Sequence, residues 1–224
     1  MKKYELTDET KTIMGNCVLH RIVALRDFSD VKRGDKGGWI EKAENLSQEG
    51  TCWVFGNAKV YGNAQVSGNA QVSGCAEVYD DARVYGYAHI SGCAEVYGYA
   101  EVYGNARVYE DARVWGNAQV SGCAEVDGYA EVDSVDDYIV FKNWWSSGRY
   151  FTWTRSNDMW KVGCFHGTGE ELIAKAYEDS EDKGKHYKEI VDYVNNCAKR
   201  LGRCSLQNSQ KVEQQDRKTL GASA

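Results

Sequence analysis

Between Val54 and Val132 a Val or Ile stands at every sixth position without a miss, and an Ala stands at every sixth position from Ala58 to Ala130. The unit reads Val-(Tyr/Ser)-Gly-(Asn/Cys/Tyr)-Ala-x, as in VYGNAQ, VSGCAE and VYGNAR. So short and regular a period specifies a β-solenoid, because no unit can bury its apolar face alone and each must stack on the next. A short strand centred on Val, followed by a turn at Gly and Asn, points both Val and the Ala four residues later inward; Gly and Asn tolerate the positive φ of such a turn. Three units close a coil of 18 residues. A core of Val and Ala fills a narrow triangular prism and leaves no room for an internal ligand. The chain contains no proline, which agrees with strands that must donate to ladders on both sides.

The flanks depart from the repeat. Residues 1–45 read as a β-hairpin cap: YELTDETKTI, a turn at Met14-Gly15-Asn16, then CVLHRIVALRDF. Such a cap covers the unpaired backbone and apolar cross-section that a terminal coil exposes. The solenoid then occupies 46–135. Residues 136–201 read as a β-β-β-α-α module, with strands in DYIVFKN, GRYFTWTR and MWKVGCF separated by the turns Ser146-Ser147-Gly148 and Ser156-Asn157-Asp158. TGEELIAKAYEDS opens with a Thr N-cap and Glu at N3, a capping box, and a second helix follows with Ile190, Val194 and Cys197 on one face. Trp144, Trp145, Trp153 and Trp160 supply the module's core and an exposed patch, with Phe151 and Trp153 on one strand face and Tyr150 and Thr152 on the other. Residues 202–224 are polar and aperiodic, the pattern of a flexible tail.

Composition narrows the classes. A net charge of −6 argues against direct nucleic-acid binding, which uses a basic stripe to displace counterions. No apolar run is long enough to span a membrane, and MKKYELTDETK offers no signal-peptide core; the expected location is the cytoplasm, or a host cytoplasm for a phage-encoded chain. Between Arg113 and Lys142 there is no Lys or Arg, while Glu125, Asp127, Glu131, Asp133, Asp136 and Asp137 fall in that stretch, so one end of the solenoid is expected to be acidic. Eight cysteines without a CxxC pair read as reduced thiols. Cys75, Cys93 and Cys123 replace Asn in the turn slot.

Folding the repeat into three sides sorts its outward residues into columns spaced by 18. One column holds Tyr61, Tyr79, Tyr97 and Trp115, beside Lys59, Glu77, Glu95 and Arg113. Two readings stand: stacked rings that tie neighbouring strands together, or a flat recognition face for a protein surface, sugars or bases. The second side, with Tyr85 and Tyr103, carries the feature more weakly. His89 occupies an outward slot otherwise filled by Lys, Gln, Glu and Arg, with Gln71, Arg107 and Glu125 in its column. Cys164 and His166 sit two apart beside Gly163 and Gly167; a Cys/His pair can act as nucleophile and base, although buried Cys is commonly inert. Gly167-Thr168-Gly169 at a helix entry could cradle an anion, but a helix cap is the simpler account.

VYGNAQVSGNAQVSGCAEV resembles the hexapeptide repeat of left-handed β-helix proteins over the whole of Val54–Val132. FSDVKRGDKGGWIEKAENLSQEGTCWVFGNA is similar to the start of bacterial and phage hexapeptide-repeat proteins of the YdcK type, labelled acyltransferase-like or polymer-forming. The resemblance implies a mainly β fold: a left-handed parallel β-helix, three-sided with 18 residues per coil, with an N-terminal β cap and a small C-terminal α+β module. Relatives include trimeric acyltransferases that use a coenzyme A thioester, and metal-dependent carbonic anhydrases. Their histidine base or three-histidine site lies at a subunit interface, generally walled by an extruded loop. Here no loop interrupts the repeat, and His89 is its one histidine, so a three-histidine metal site in the repeat is ruled out by count. The expectation is therefore a non-catalytic binding or assembly protein without cofactor or metal. Its partner is expected to be a protein, its homo-oligomer a trimer, and the phage-like C-terminal half suggests an accessory protein that blocks a host defence component. A coenzyme A-dependent acyltransferase and a carbohydrate-binding solenoid are the alternatives.

Overall fold

A computed structural model describes residues 2–143 and 148–200; Trp144, Trp145, most of the turn expected at Ser146-Ser147-Gly148, and the tail lie outside the described residues. The chain divides into two compact units, Met1–Val140 and Phe141–Ala224.

The first unit opens with the antiparallel strands β1 (Tyr4–Thr12) and β2 (Val18–Ala24), joined through a short 3-10 turn at Met14–Asn16. The strand β3 (Lys36–Ile40) pairs antiparallel with β2 on one edge and parallel with Lys59–Val60 on the other. The parallel stack thus begins inside the segment expected to be cap, because Trp39 and Ile40 already take the outward and inward slots opposite Lys59 and Val60. Above it run fourteen two-residue strands, β4 (Trp53–Val54) through β17 (Glu131–Val132). They fall into three parallel ladders with partners 18 residues apart, such as Trp53↔Gln71, Lys59↔Glu77 and Gln65↔Arg83.

The repeat explains each contact. Every Val, Ile and Ala of the inward slots from Val54 to Val132 is essentially inaccessible to solvent, and each buried Val contributes about 1.5–3 kcal/mol before conformational entropy is charged. Backbone N–H groups donate one coil ahead, as in Lys59 to the Ala76 carbonyl at 2.9 Å and Tyr61 to the Val78 carbonyl at 3.0 Å. The corner residues have positive φ, and most are glycine. At Gly92 a Cβ would lie 2.6 Å from the backbone nitrogen of Glu110. Where Asp80 and Glu110 take the corner position, at φ 57° and 59°, each carboxylate accepts a hydrogen bond from a glycine N–H one coil ahead: Gly98 at 3.3 Å and Gly128 at 3.1 Å.

Both ends of the stack are covered. At the N-terminal end Trp53 is buried with Tyr4 and Phe28 packed edge-on against it, at centroid distances of 6.1 and 5.3 Å. Lys3 is fully buried beneath them, its ammonium donating to the carbonyls of Glu49 and Cys52 at 3.2 and 2.9 Å. At the other end the Tyr138 hydroxyl donates to the Gln119 carbonyl at 2.9 Å and accepts from the Ser121 N–H at 3.2 Å. One side chain there supplies bonds that a further strand would have made, the blunting that an exposed sheet edge requires.

The second unit takes up the chain along β18 (Tyr138–Lys142), followed by β19 (Tyr150–Thr154), β20 (Met159–Val162) and β21 (Phe165–Gly167), in the sheet order β18-β19-β20-β21. The sheet therefore has a fourth strand beyond the three read from the sequence. MWKVGCF does not run straight: Val162 pairs with Phe165 across a two-residue turn, with Gly163 at φ 59°. Two helices follow, α1 (Gly169–Asp179) and α2 (Glu181–Arg200). The capping box forms as expected, with the Glu171 N–H donating to Thr168 Oγ1 and the Thr168 N–H to Glu171 Oε2. The buried stripe of α2 runs Gly184, Tyr187, Val191 and Val194, so Ile190 and Cys197 flank it and the expected face is rotated. Gly184 and Tyr187 steer that rotation: a Cβ on Gly184 would lie 2.2 Å from the Tyr177 ring, and Tyr187 stands edge-on to Phe151 at 4.9 Å. Phe151, Trp153 and Trp160 are buried in this core, and Thr152 on the opposite strand face is buried as well while Tyr150 is exposed.

Candidate functional site

The column Tyr61, Tyr79, Tyr97 and Trp115 forms as one stack. Successive ring centroids are 5.1, 4.9 and 6.1 Å apart with planes within 2°, 2° and 10° of parallel. The cause is the register, since each ring sits on the residue after an inward Val and its successor lies one coil above. The rings are half-buried, and two hydroxyls find partners one coil on: Tyr61 donates to Glu77 at 2.9 Å and Tyr79 to Glu95 at 3.0 Å. Lys59 pairs with Glu77, and Arg113 lies 3.7 Å from both Glu95 and Glu131. Desolvation, then the bond to the glutamate, holds the Tyr61 and Tyr79 hydroxyls far above the usual tyrosine range.

The same device recurs on the other sides. Tyr85 and Tyr103 stack at 5.0 Å, Tyr85 donates to Glu101 at 3.2 Å, and Arg83 reaches Glu101 at 3.5 Å. Tyr109 donates to Asp127 at 3.1 Å, with desolvation and then that carboxylate raising its hydroxyl strongly. A Tyr and a Glu sixteen residues later mark three of these bonds, a spacing visible in the sequence that column sorting alone did not single out. The large aromatics most exposed on the solenoid are others: Tyr87, Tyr99 and Tyr129, in the turn slot of three different corners.

The expected acidic end is partly consumed by its own architecture. Asp127 is buried, Glu125 pairs with Arg107 at 3.8 Å, Glu131 with Arg113, and Asp137 accepts from the N–H groups of Asp133 and Ser134, both at 3.0 Å. Asp133 and Asp136 face solvent.

His89 lies in register with Gln71 and Arg107. Its exposed ring makes no hydrogen bond among the described residues, and desolvation by the strand stack, then the charge of Arg107, lowers its pKa. Cys164 and His166 do not share a strand: Cys164 sits in the β20–β21 turn, and His166 lies on β21 opposite Lys161. The described cysteines are free thiols, with Cys75 and Cys93 exposed on neighbouring coils. No helix is long and apolar enough to cross a membrane among the described residues.

Comparison with known proteins places the repeat. A family described as the YdcK Beta solenoid repeat matches residues 76–92 and 100–116. A stretch of 62 residues, 25% of this chain, is 39% identical to the "Uncharacterized acetyltransferase YdcK" of Escherichia coli (strain K12). The chain covers 19% of that protein's length, less than a fifth. The solenoid of this chain is accordingly a hexapeptide-repeat β-solenoid of the YdcK-like family.

Proposed function

We propose that this chain is a non-catalytic binding or assembly protein whose working surface is the solenoid side bearing Tyr61, Tyr79, Tyr97 and Trp115, extended by Tyr85 and Tyr103 on a neighbouring side, and that its partner is a protein. The observation that carries this reading is the in-register stack itself. Four rings are held at spacings near 5 Å by strands that cannot move independently, and Glu77 and Glu95 already satisfy two of the hydroxyls. Such a face presents aromatic area without further side-chain ordering, which is where much of the cost of association ordinarily lies. A homotrimer packed along solenoid sides extends the proposal. An accessory role in phage infection rests on sequence resemblance alone.

The test is photo-cross-linking in a host lysate with wild-type protein and the double variant Tyr79→Ala, Tyr97→Ala, alongside light scattering of both. A partner held by wild type and lost by a folded double variant supports the face; one captured equally by both removes it. Light scattering that returns a clean monomer removes the trimer.

A second reading, a coenzyme A-dependent acyltransferase, draws on one observation beyond the name of the relative: His89 stands in its neutral, proton-accepting form at neutral pH because its pKa is lowered. A general base has to be in that form. Titration with acetyl-CoA, together with loss of any observed acetyl transfer in His89→Ala, would establish this reading and sink the non-catalytic one.

A further inference from the structure

The second unit contains a cleft of about 470 Å³ between β20–β21 and the two helices, within the size range of small-molecule pockets. Its floor is apolar. Val162, Leu172, Ala176 and Tyr187 form it, all buried. The rim is charged and one-sided: Arg149, Lys175 and Lys183 stand against the single carboxylate Asp179. Three cations and one anion leave an excess of two positive charges at the mouth, in a chain whose net charge is −6. A local reversal of sign of this kind is the arrangement that attracts and orients an anion.

Asp179 shows how the rim treats a carboxylate. Lys183 donates to Asp179 Oδ2 from one turn further along the helical hairpin, and also stands 5.7 Å from the Tyr187 ring centroid, so its ammonium lies over the cleft floor. The bond from Lys183, then the charges of Lys175 and Arg149, hold Asp179 below the usual carboxylate range. The positive field of all three rim cations therefore converges on one place. The apolar floor beneath it sets the second half of the chemistry, because a bare inorganic anion would leave Leu172 and Tyr187 uncovered.

From this geometry we infer that the cleft of the C-terminal unit is a binding site for a small aromatic anion, with the ring lying on Leu172, Ala176 and Tyr187 and the anionic group, a phosphomonoester or a carboxylate, received by Lys175, Lys183 and Arg149. The site belongs to the second unit alone and stands whether or not the solenoid face binds a protein.

The experiment is calorimetric titration of the full chain with phenyl phosphate, benzoate and benzyl alcohol. Phenyl phosphate or benzoate is expected to bind at one site per chain, with benzyl alcohol at least about tenfold weaker, since charge-assisted bonds supply the difference. The tighter of the two anions identifies the head group, and either order supports the site. Lys175→Glu and Lys175→Met should each weaken binding, the former by about tenfold or more, with helical circular dichroism retained. Lys185→Glu, which changes charge equally but pairs with Glu181 outside the cleft, should leave it unchanged. Benzyl alcohol binding as tightly as the anions, no heat with either anion at millimolar concentration, or equal loss in Lys185→Glu and Lys175→Glu would overturn the assignment.

Discussion

The two units of this chain solve the same problem, burying apolar surface, by opposite means. In the solenoid the core is two residue types, Val and Ala, and every contact of consequence joins residue i to a residue about one coil on. In the second unit the core is a cluster of unlike side chains, with Phe151 meeting Trp160 and Tyr187 edge-on at 6.4 and 4.9 Å and Phe141 face-on at 5.2 Å. Repetition makes the solenoid uniform, so no position is special. The aromatic cluster concentrates its packing in a few residues, and each is irreplaceable.

The largest effect should come from testing that contrast directly. Val96→Asp places a carboxylate in a prism with no water and no partner, a loss of several kcal/mol. Circular dichroism is expected to lose the solenoid's β signal while the α1 and α2 helical signal persists. Trp160→Ala should do the reverse, costing about 3–5 kcal/mol in the second unit and leaving the solenoid melt unchanged. If either variant abolishes both transitions together, the units are not independent in stability and the comparison breaks.

A smaller effect separates two corners of the same repeat. Gly92→Ala combines a positive φ with a Cβ 2.6 Å from the Glu110 nitrogen, whereas Gly122→Ala has a positive φ and nothing within 4 Å. The exposed corner should lose about 1–2 kcal/mol from backbone strain alone, and Gly92→Ala more than that. Equal midpoints in a urea melt would show that the coils can shift apart without cost.

The smallest effect at neutral pH concerns the ladder. Tyr79→Phe removes one hydroxyl from Glu95 and should cost about 1 kcal/mol, seen as a small drop in the solenoid's melting temperature. The raised hydroxyls of Tyr61, Tyr79 and Tyr109, with Tyr4 pushed up to about 12 by burial first, make stability fall in alkali. Their folded pKa lies above the unfolded value near 10, so this contribution is fully present below about pH 10 and is lost as pH rises toward the folded values. Tyrosinate absorbance at alkaline pH should therefore rise together with unfolding, and later than in a denatured control; a rise that precedes unfolding would place those hydroxyls in water.

How much was legible follows the same divide. The columns Tyr61–Trp115 and Gln71–Glu125 were readable because a six-residue period names each residue's neighbour in advance. The role of Glu77 and Glu95 as acceptors was written in the same spacing but needed the side-chain reach to show it. The parallel partner of Trp39 was hidden, since that coil closes through non-repeating sequence. In the second unit alternation placed Phe151 and Trp153 on one face, yet gave no hint of the turn at Gly163-Cys164 that separates Cys164 from His166, or of the cleft that gathers Arg149, Lys175 and Lys183 from three distant segments.

By itself the sequence determined the three-sided coil, its Val and Ala interior and the vertical order of its outward residues, because a strict period leaves one way to bury every sixth residue. Tertiary structure alone decided the face of α2 that is buried, the sealing of the last coil by the Tyr138 hydroxyl, and the one-sided charge of the cleft. Those depend on close approach between residues with no fixed spacing, and only the packed chain brings them together.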